Sequence, residues 1–391
     1  MTAFTDVSLP SESEEVWRYS RISQLDLGAF APLSDKRAEE PGVPAALQAV
    51  VEACGPYAAL AVVRNGSLAH VDMADPAVEI EAMAGDDADV VAGEDDVFTR
   101  LSREHALDTV AVRIKRGAVV ERPVVVLHWI DADGAAVFPR LVVHAGEASQ
   151  AVVLDHVSSP SSTSALTAPV VQLDLADAAN LAYLNVQELG PSVWQVAYHV
   201  SQVARDASLA ASLVALGGDY ARVRADSRLA GQGGTSNLLA VYFGDHGQMH
   251  DFRTMQDHVG PKTTSDLLFK GAVQDLAHSV YSGLIRVRKG AAGTNAFQTN
   301  RNLVLTEGAH ADSVPNLEIE ENDVRCSHAS AVGPIDEEQR YYLEARGVPS
   351  DVADRLIVLG FFEEVIDRTP VEGLRPRLRD AVAAKLLRQT R

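Results

Sequence analysis

The chain has few cysteines, few aromatic residues and no long apolar run, and each shortage excludes a class of protein. Its 391 residues include two cysteines, Cys54 and Cys326, and aromatic residues make up 6%. Two thiols form neither a disulfide framework nor a four-cysteine metal site. We expect Cys54, in the apolar segment VVEACGPYAAL, to pack as a small buried residue.

Membrane and export signals are also lacking. No apolar run approaches the roughly 18 residues that cross a bilayer. The segment MTAFTDVSLPSESEEVW has neither the basic start nor the apolar stretch of a signal peptide. We therefore expect a cytoplasmic protein.

Positive charge is scarce, with 34 basic against 54 acidic residues and a formal net charge of −20. Such a chain repels phosphate backbones and anionic lipid, which argues against nucleic-acid and membrane partners. The exception is the stretch 375–391, where one acid, Asp380, stands among six basic residues: Arg375, Arg377, Arg379, Lys385, Arg388 and Arg391.

The middle of the chain consists of short segments with alternating polar and apolar residues, the period of a half-buried strand. Ser208, Ser236 and Ser265 open comparable segments at nearly equal spacing, and later breaks recur at about half that spacing. We interpret the shorter interval, about 14–16 residues, as the coil of a β-solenoid. A β-sandwich also contains many short strands, but tight hairpin signals are scarce here.

These textures predict three regions. Residues 1–135 mix helical and strand-like stretches, and residues 136–334 form the β-rich core. Residues 335–391 form a helical domain, because Asp336 and Gln339 are placed to cap a helix that ends at Gly347. Two further helices are predicted by DVADRLIVLGFFEEVI and RPRLRDAVAAKLLRQ.

The leading candidate for chemistry is His328, because an imidazole binds borderline metals and transfers protons near neutral pH. Cys326 lies two positions earlier in a predicted strand, so both side chains point to one face. A lone Cys-x-His pair also fits an ordinary histidine at a strand end.

A second group could supply hard ligands to a metal: His310, Asp312, Glu318 and Glu320. A solvated edge of charged residues is the alternative. His246 and His250 have helical spacing, but the glycine between them argues against a helix. Zincin, nucleophile-elbow, dinucleotide and P-loop motifs do not occur.

Three segments together resemble the SufB/SufD family of the SUF iron–sulfur cluster assembly system: LPSESEEVWRYS, the long segment from FRTMQDHVGPKTTSDLLFKG to TNRNLVLTEG, and DVRCSHASAVGPIDEEQRYYLEARGVP. The likeness is to the SufD subunit, because the strand QTNRNLVL lacks the cysteine that SufB presents there. Ala329, Ser330 and Ala331 replace the family's usual Gly, Ala and Thr, and these small changes leave His328 in register.

The resemblance implies a mainly β protein: a right-handed parallel β-helix core, an N-terminal mixed α/β region and a C-terminal helical region. It implies a scaffold rather than an enzyme, paired with SufB through the β-helix and with the ATPase SufC through the C-terminal helices. His328 would be a metal ligand or iron-acceptance residue, with Cys326 as a weaker candidate, for a transient iron–sulfur cluster shared with SufB.

The resemblance leaves two further cofactors as alternatives, iron bound by this chain alone and a flavin, and no residue identifies a flavin site. The basic stretch either binds SufC or balances local acidity. The alternative functions are a structural β-helix homodimer without a metal role and a polysaccharide-acting solenoid enzyme, which the few aromatics and missing export signal disfavour.

Overall fold

The structure is a computed structural model that describes Phe4 and residues 7–34, 42–83 and 96–387. Within these ranges, twelve strands form a first sheet: β1 (Ala31–Pro32), β4 (Val78–Met83), β5 (Thr109–Ile114), β7 (Ala135–Val137), β8 (Arg140–Ala145), β10 (Ser164–Thr167), β11 (Val170–Leu175), β13 (Ser192–Val203), β15 (Tyr220–Leu229), β17 (Met249–His258), β19 (His278–Val287) and β21 (His310–Ile319).

Ten more strands of the described residues form a second sheet: β2 (Ala59–Arg64), β3 (Ser67–Met73), β6 (Val124–Trp129), β9 (Gln150–Ser158), β12 (Asn180–Glu188), β14 (Ser208–Ala215), β16 (Thr235–Gly244), β18 (Thr264–Val273), β20 (Thr294–Val304) and β22 (Val324–Gly333). The helices are α1 (Gln48–Cys54), α2 (Val97–His105), α3 (Glu337–Glu344), α4 (Ser350–Ile366) and α5 (Arg375–Leu387).

From β11 onward the chain alternates between the sheets, and each strand pairs in parallel with the strand one coil earlier. The predicted mainly β protein with a parallel β-helix core, an N-terminal mixed region and C-terminal helices is confirmed. A β-sandwich is excluded because its strands pair in antiparallel fashion.

The predicted coil length was wrong. The ladder pairs Trp194 with Tyr220 and His278 with His310, so one full coil takes about twice the predicted interval. The predicted interval is the step from one sheet to the other, which is half a coil. The longer spacing between the serine residues is the length of one full coil, since Ser236 directly faces Ser265.

One corner of the coil has the same backbone conformation in turn after turn. The connection from the first sheet to the second contains a residue with positive φ in seven places: Gly117, Ala148, Ala178, Asp206, Gly233, Lys262 and Gly293. The backbone N–H of each donates to a carbonyl of the next coil, as from Ala178 to Arg205. This bond offsets the roughly 1–2 kcal/mol that the left-handed conformation costs a residue other than glycine.

Apolar side chains fill the space between the sheets and also cover both outer faces. The interior contains large aromatic residues such as Phe252 and Phe269. The N-terminal segment, with Trp17, and α2 pack on the outer face of the first sheet. Helices α1, α4 and α5 pack on the outer face of the second sheet, where Phe362 contacts Phe243.

The two ends of the β-helix differ. At the N-terminal end, β3 pairs antiparallel with β2, and β4 pairs antiparallel with β5. Leu68 and Val71 of β3 pack against the interior core there. At the C-terminal end, β21 and β22 are the last strands of their sheets, and most of their residues are partly or fully exposed.

The helical tail follows the sequence prediction. The Asp336 carboxylate accepts hydrogen bonds from the N–H groups of Glu338 and Gln339, and Gly347 adopts a positive φ of 82° after α3. Four basic residues of the 375–391 stretch form hydrogen bonds or ion pairs within the chain. Arg375 donates to the Thr369 carbonyl, and Arg377 pairs with Glu188. Arg379 pairs with Glu363 and Asp367, and Lys385 pairs with Asp245. Arg388 and Arg391 lie outside the described residues. No helix in the described ranges is long and apolar enough to span a bilayer.

Candidate functional site

The sequence-predicted pair Cys326 and His328 lies on β22, the last strand of the second sheet. Cys326 faces Ala296 of β20, and His328 faces Gln298. Because Ala296 packs in the interior and strand side chains alternate, both candidate side chains point to the inner face of the β-helix. They belong to its final coil, so no further strand of the described chain covers them from the C-terminal side.

Cys326 is half-buried against the apolar interior of the last coils, in contact with a cluster that includes Ile285 and Ala296. Burial raises the pKa of the Cys326 thiol, while a backbone hydrogen bond from Ala296 acts in the opposite direction. A raised pKa keeps the thiol protonated near neutral pH, and the thiolate is the form that binds metal. Cys326 is therefore the less available of the two candidate ligands.

His328 is exposed, and its imidazole has no hydrogen-bond partner within the part of the chain that the structure describes. Gln298, directly beneath it, accepts a hydrogen bond from the Tyr281 hydroxyl at 3.1 Å and donates to the Asn316 carbonyl at 3.2 Å. The next inward-facing residue of β22, Ser330, donates to Ser313 at 2.7 Å. The side chains next to His328 inside the last coil are thus polar and fixed by hydrogen bonds, while the His328 imidazole is free to bind a metal or a partner.

Of the second predicted group of metal ligands, His310 and Asp312 lie together in the structure, whereas Glu318 and Glu320 have other partners. Asp312 contacts His310, with 3.3 Å between a carboxylate oxygen and Nε2, and also contacts His278 at 2.7 Å. Glu318 instead pairs with Arg286 at 2.8 Å, and Glu320 accepts a bond from the Lys289 N–H.

The sequence analysis missed His278. It lies one coil before His310 and faces it across the ladder. A coil of twice the predicted length would have revealed the pair, whereas the shorter interval placed the two histidines two coils apart and concealed the contact.

The other histidine pair and Cys54 have structural positions. His246 is exposed and contacts Asp275 at 3.2 Å. His250 is fully buried, and burial lowers its pKa to about 3, so it stays neutral in the core. Cys54 packs with the helices outside the second sheet, and burial raises its pKa to about 11.

Comparison with known proteins places this architecture in a family. Residues 128–361 match the family model described as "SUF system FeS cluster assembly, SufBD core domain". The chain belongs to the SufBD family. A SufBD family protein of Mycobacterium tuberculosis is 39% identical over 284 residues, which cover 70% of each chain.

Relatives named SufD are similar to this chain over different lengths. The iron–sulfur cluster assembly protein SufD of Escherichia coli is 26% identical over 387 residues, covering 97% of this chain and 89% of that protein. SufD of Bacillus subtilis is 28% identical over 275 residues, covering 70% and 63%. The family match spans the β-helix from the end of β6 to β22 and most of α4, so the predicted relationship to SufD and to iron–sulfur cluster assembly is confirmed at the level of the family.

Proposed function

We propose that this SufBD-family chain is a non-catalytic scaffold subunit that pairs with SufB through the open end of its β-helix and with the ATPase SufC through its C-terminal helices. A nascent iron–sulfur cluster, the cargo of the complex, is built where the SufB and SufD β-helices meet. His328 contributes one metal ligand or accepts iron there.

The observation that carries this proposal is the uncovered inner face of the last coil. In the middle of the β-helix the inward-facing side chains are covered by coils on both sides, whereas His328 and Ser330 of the last coil are exposed. Ile319 and Val332, on the last two strands, leave 43% and 45% of their surface exposed. An apolar and polar surface of this kind is typical of a protein interface, and a second β-helix end is a matching occupant.

The donor set supports a shared site rather than a complete one. A cluster needs about four protein ligands, and this end of the chain offers an available imidazole and a protonated thiol. A partner must supply the remaining ligands, and its docking also excludes water from the site.

The exposed apolar and aromatic side chains of the helical domain support the proposal that it binds a protein partner, the ATPase SufC. Tyr341 and Tyr342 on α3 leave 73% and 56% of their surface exposed, and Leu356 on α4 leaves 50%. Helices α4 and α5 also contact the β-helix directly, through Lys270 to the Phe361 carbonyl and Lys385 to Asp245. Movement imposed on these helices can therefore reach the second sheet.

The test is co-expression of this chain with its cognate SufB and SufC, measured by size exclusion with light scattering and by iron and sulfide content. We expect a heteromer of all three subunits, an unchanged mass for His328→Ala, and loss of its cluster. The exposed His246→Ala is the matched control and should load normally. Normal loading by His328→Ala contradicts the site, and a chain that pairs only with itself supports the structural homodimer instead.

A further inference from the structure

A second set of metal-binding side chains lies on the outer face of the first sheet, near its C-terminal edge. His278 of β19 and His310 of β21 are direct register partners, and Asp312 follows two positions later on the same face. The ladder neighbours Met249 and Val280 pack under the N-terminal segment, which identifies this face as the outer one. The set is therefore separate from His328, which points inward.

The three side chains converge on one point. The nearest Asp312 oxygens lie 2.7 Å from His278 Nε2 and 3.3 Å from His310 Nε2, and one ligand atom from each residue lies within 4.8 Å of the others. Metal–nitrogen and metal–oxygen bonds of about 2.0–2.2 Å place neighbouring ligands roughly 3 Å apart. Small side-chain rotations thus suffice to bring all three onto one ion.

We propose that His278, His310 and Asp312 bind one divalent first-row transition metal ion, with water in the remaining positions. Two imidazoles and one carboxylate are the donor set that suits ferrous iron and zinc, rather than calcium or magnesium. The site goes beyond the proposed scaffold function and does not depend on it, because none of its ligands belongs to the last coil's inner face.

The backbone holds this arrangement before any metal arrives. Adjacent parallel strands fix the two imidazoles side by side, with ring centroids 5.1 Å apart, and the step of two positions brings Asp312 to the same face. Without metal, each Nε2–H can donate a hydrogen bond to the shared carboxylate. With metal, each neutral imidazole carries its one proton on Nδ1 and presents the Nε2 lone pair to the ion, so the Nε2 atoms already lie beside the carboxylate when the ion binds.

The chain contains a natural control for an ordinary surface contact. His246 and Asp275 are also an imidazole and a carboxylate in contact at 3.2 Å, but they are a single pair. If histidine–aspartate proximity alone bound metal, this pair would bind too. The proposal therefore predicts that the triad binds metal and that this pair does not.

The experiment measures Zn²⁺ and, without oxygen, Fe²⁺ binding to the tag-free full chain by equilibrium dialysis, and follows Co²⁺ by visible absorption. We expect one ion per chain, with affinity reduced at least about tenfold in His310→Ala and Asp312→Asn. His310 has an exposed side chain and Asn is isosteric with Asp, so both variants should fold. His246→Ala and His328→Ala should bind like the parent chain.

Each other outcome overturns the site. The parent chain could bind no stoichiometric ion, or both triad variants could bind as it does. Binding could also be lost in His328→Ala, which would assign the ion to the last coil. Cluster content in the complex with SufB and SufC is a separate measurement, so failure of the scaffold proposal and failure of this metal site remain distinguishable.

Discussion

The two ends of this β-helix are built from similar strands and differ in what covers them. At the N-terminal end, antiparallel strands β3 and β4 complete the sheets, and Ile80 of β4 is 7% exposed. At the C-terminal end, β21 and β22 have no such cover within the described chain, and Ile319 is 43% exposed. The first end is covered by strands of the chain itself, whereas the second leaves inward-facing side chains exposed.

The same contrast separates the inward-facing histidines. His199, His250 and His258 lie within covered coils, where burial lowers their pKa values to about 4, 3 and 4. His258 is held between Thr263 and Ser265 at 2.8 and 2.9 Å. His328 has neither burial nor such partners in the described chain. Position along the solenoid therefore decides whether an inward-facing histidine is buried or exposed.

Replacing one isoleucine by alanine at each end is the strongest test of this difference in cover. Ile80→Ala removes a buried side chain and should cost about 2–5 kcal/mol of unfolding free energy. Ile319→Ala, at the open end, should cost less than about 1 kcal/mol, as surface changes do. Chemical denaturation checks both, and equal losses would mean that the C-terminal end is as well covered as the other.

The buried histidines should make stability depend on pH. Their folded pKa values lie below the unfolded value of about 6.5, so the unfolded chain binds more protons under mild acid. Their stabilisation is complete above about pH 6.5 and is lost as pH falls toward about 4 and 3. Each contributes a slope that rises from about 0.7 kcal/mol per pH unit at pH 6.5 toward about 1.4 near pH 5.

Denaturation between pH 6.5 and 5 measures this slope. His250→Gln should reduce it by one histidine's share relative to the parent chain, whereas the exposed His246→Gln should leave it unchanged. A slope that is the same in both variants would show that His250 does not remain neutral in the folded core.

The smallest expected effect is a difference in alkylation rate between the thiols of Cys54 and Cys326. Burial raises the pKa of both, for Cys54 to about 11, so both should alkylate slowly at pH 8. Cys326, being nearer the open end and less buried, should react faster than Cys54, and added SufB should slow only Cys326. Mass spectrometry of labelled peptides gives both rates; protection of Cys54 alone would point to a different docking face.

Local signals in the sequence predicted much of this fold. The helix cap at Asp336 and the ending at Gly347 depend on residues close in the chain, and the structure places both as expected. Alternating polarity identified the strands for the same reason. The predicted region boundaries at 135 and 334 and the role of His328 stay predictions.

Contacts between coils were harder to predict. The half-coil interval concealed the pairing of His278 with His310, because neighbours in a solenoid are one coil apart in sequence. The packing of other segments on the outer faces of the sheets was also missed. Arg222 stacks on Trp17 at 4.0 Å and pairs with Asp251 at 2.7 Å, which joins the N-terminal segment to the middle of the β-helix. No local pattern reports such contacts.

The recurring left-handed corner bears on how a chain of this kind can change length. Seven coils turn from the first sheet to the second through a positive-φ residue whose N–H bonds to the following coil. The corner takes connections of different length, from residues 146–149 to residues 288–293, whereas a single residue inserted within a strand would shift the rest of that strand by one position and turn its inner side chains outward. Gene segments that encode a whole coil can be duplicated or deleted without this penalty. Evolution can therefore lengthen the β-helix by whole coils while the side chains of its last coil keep their arrangement.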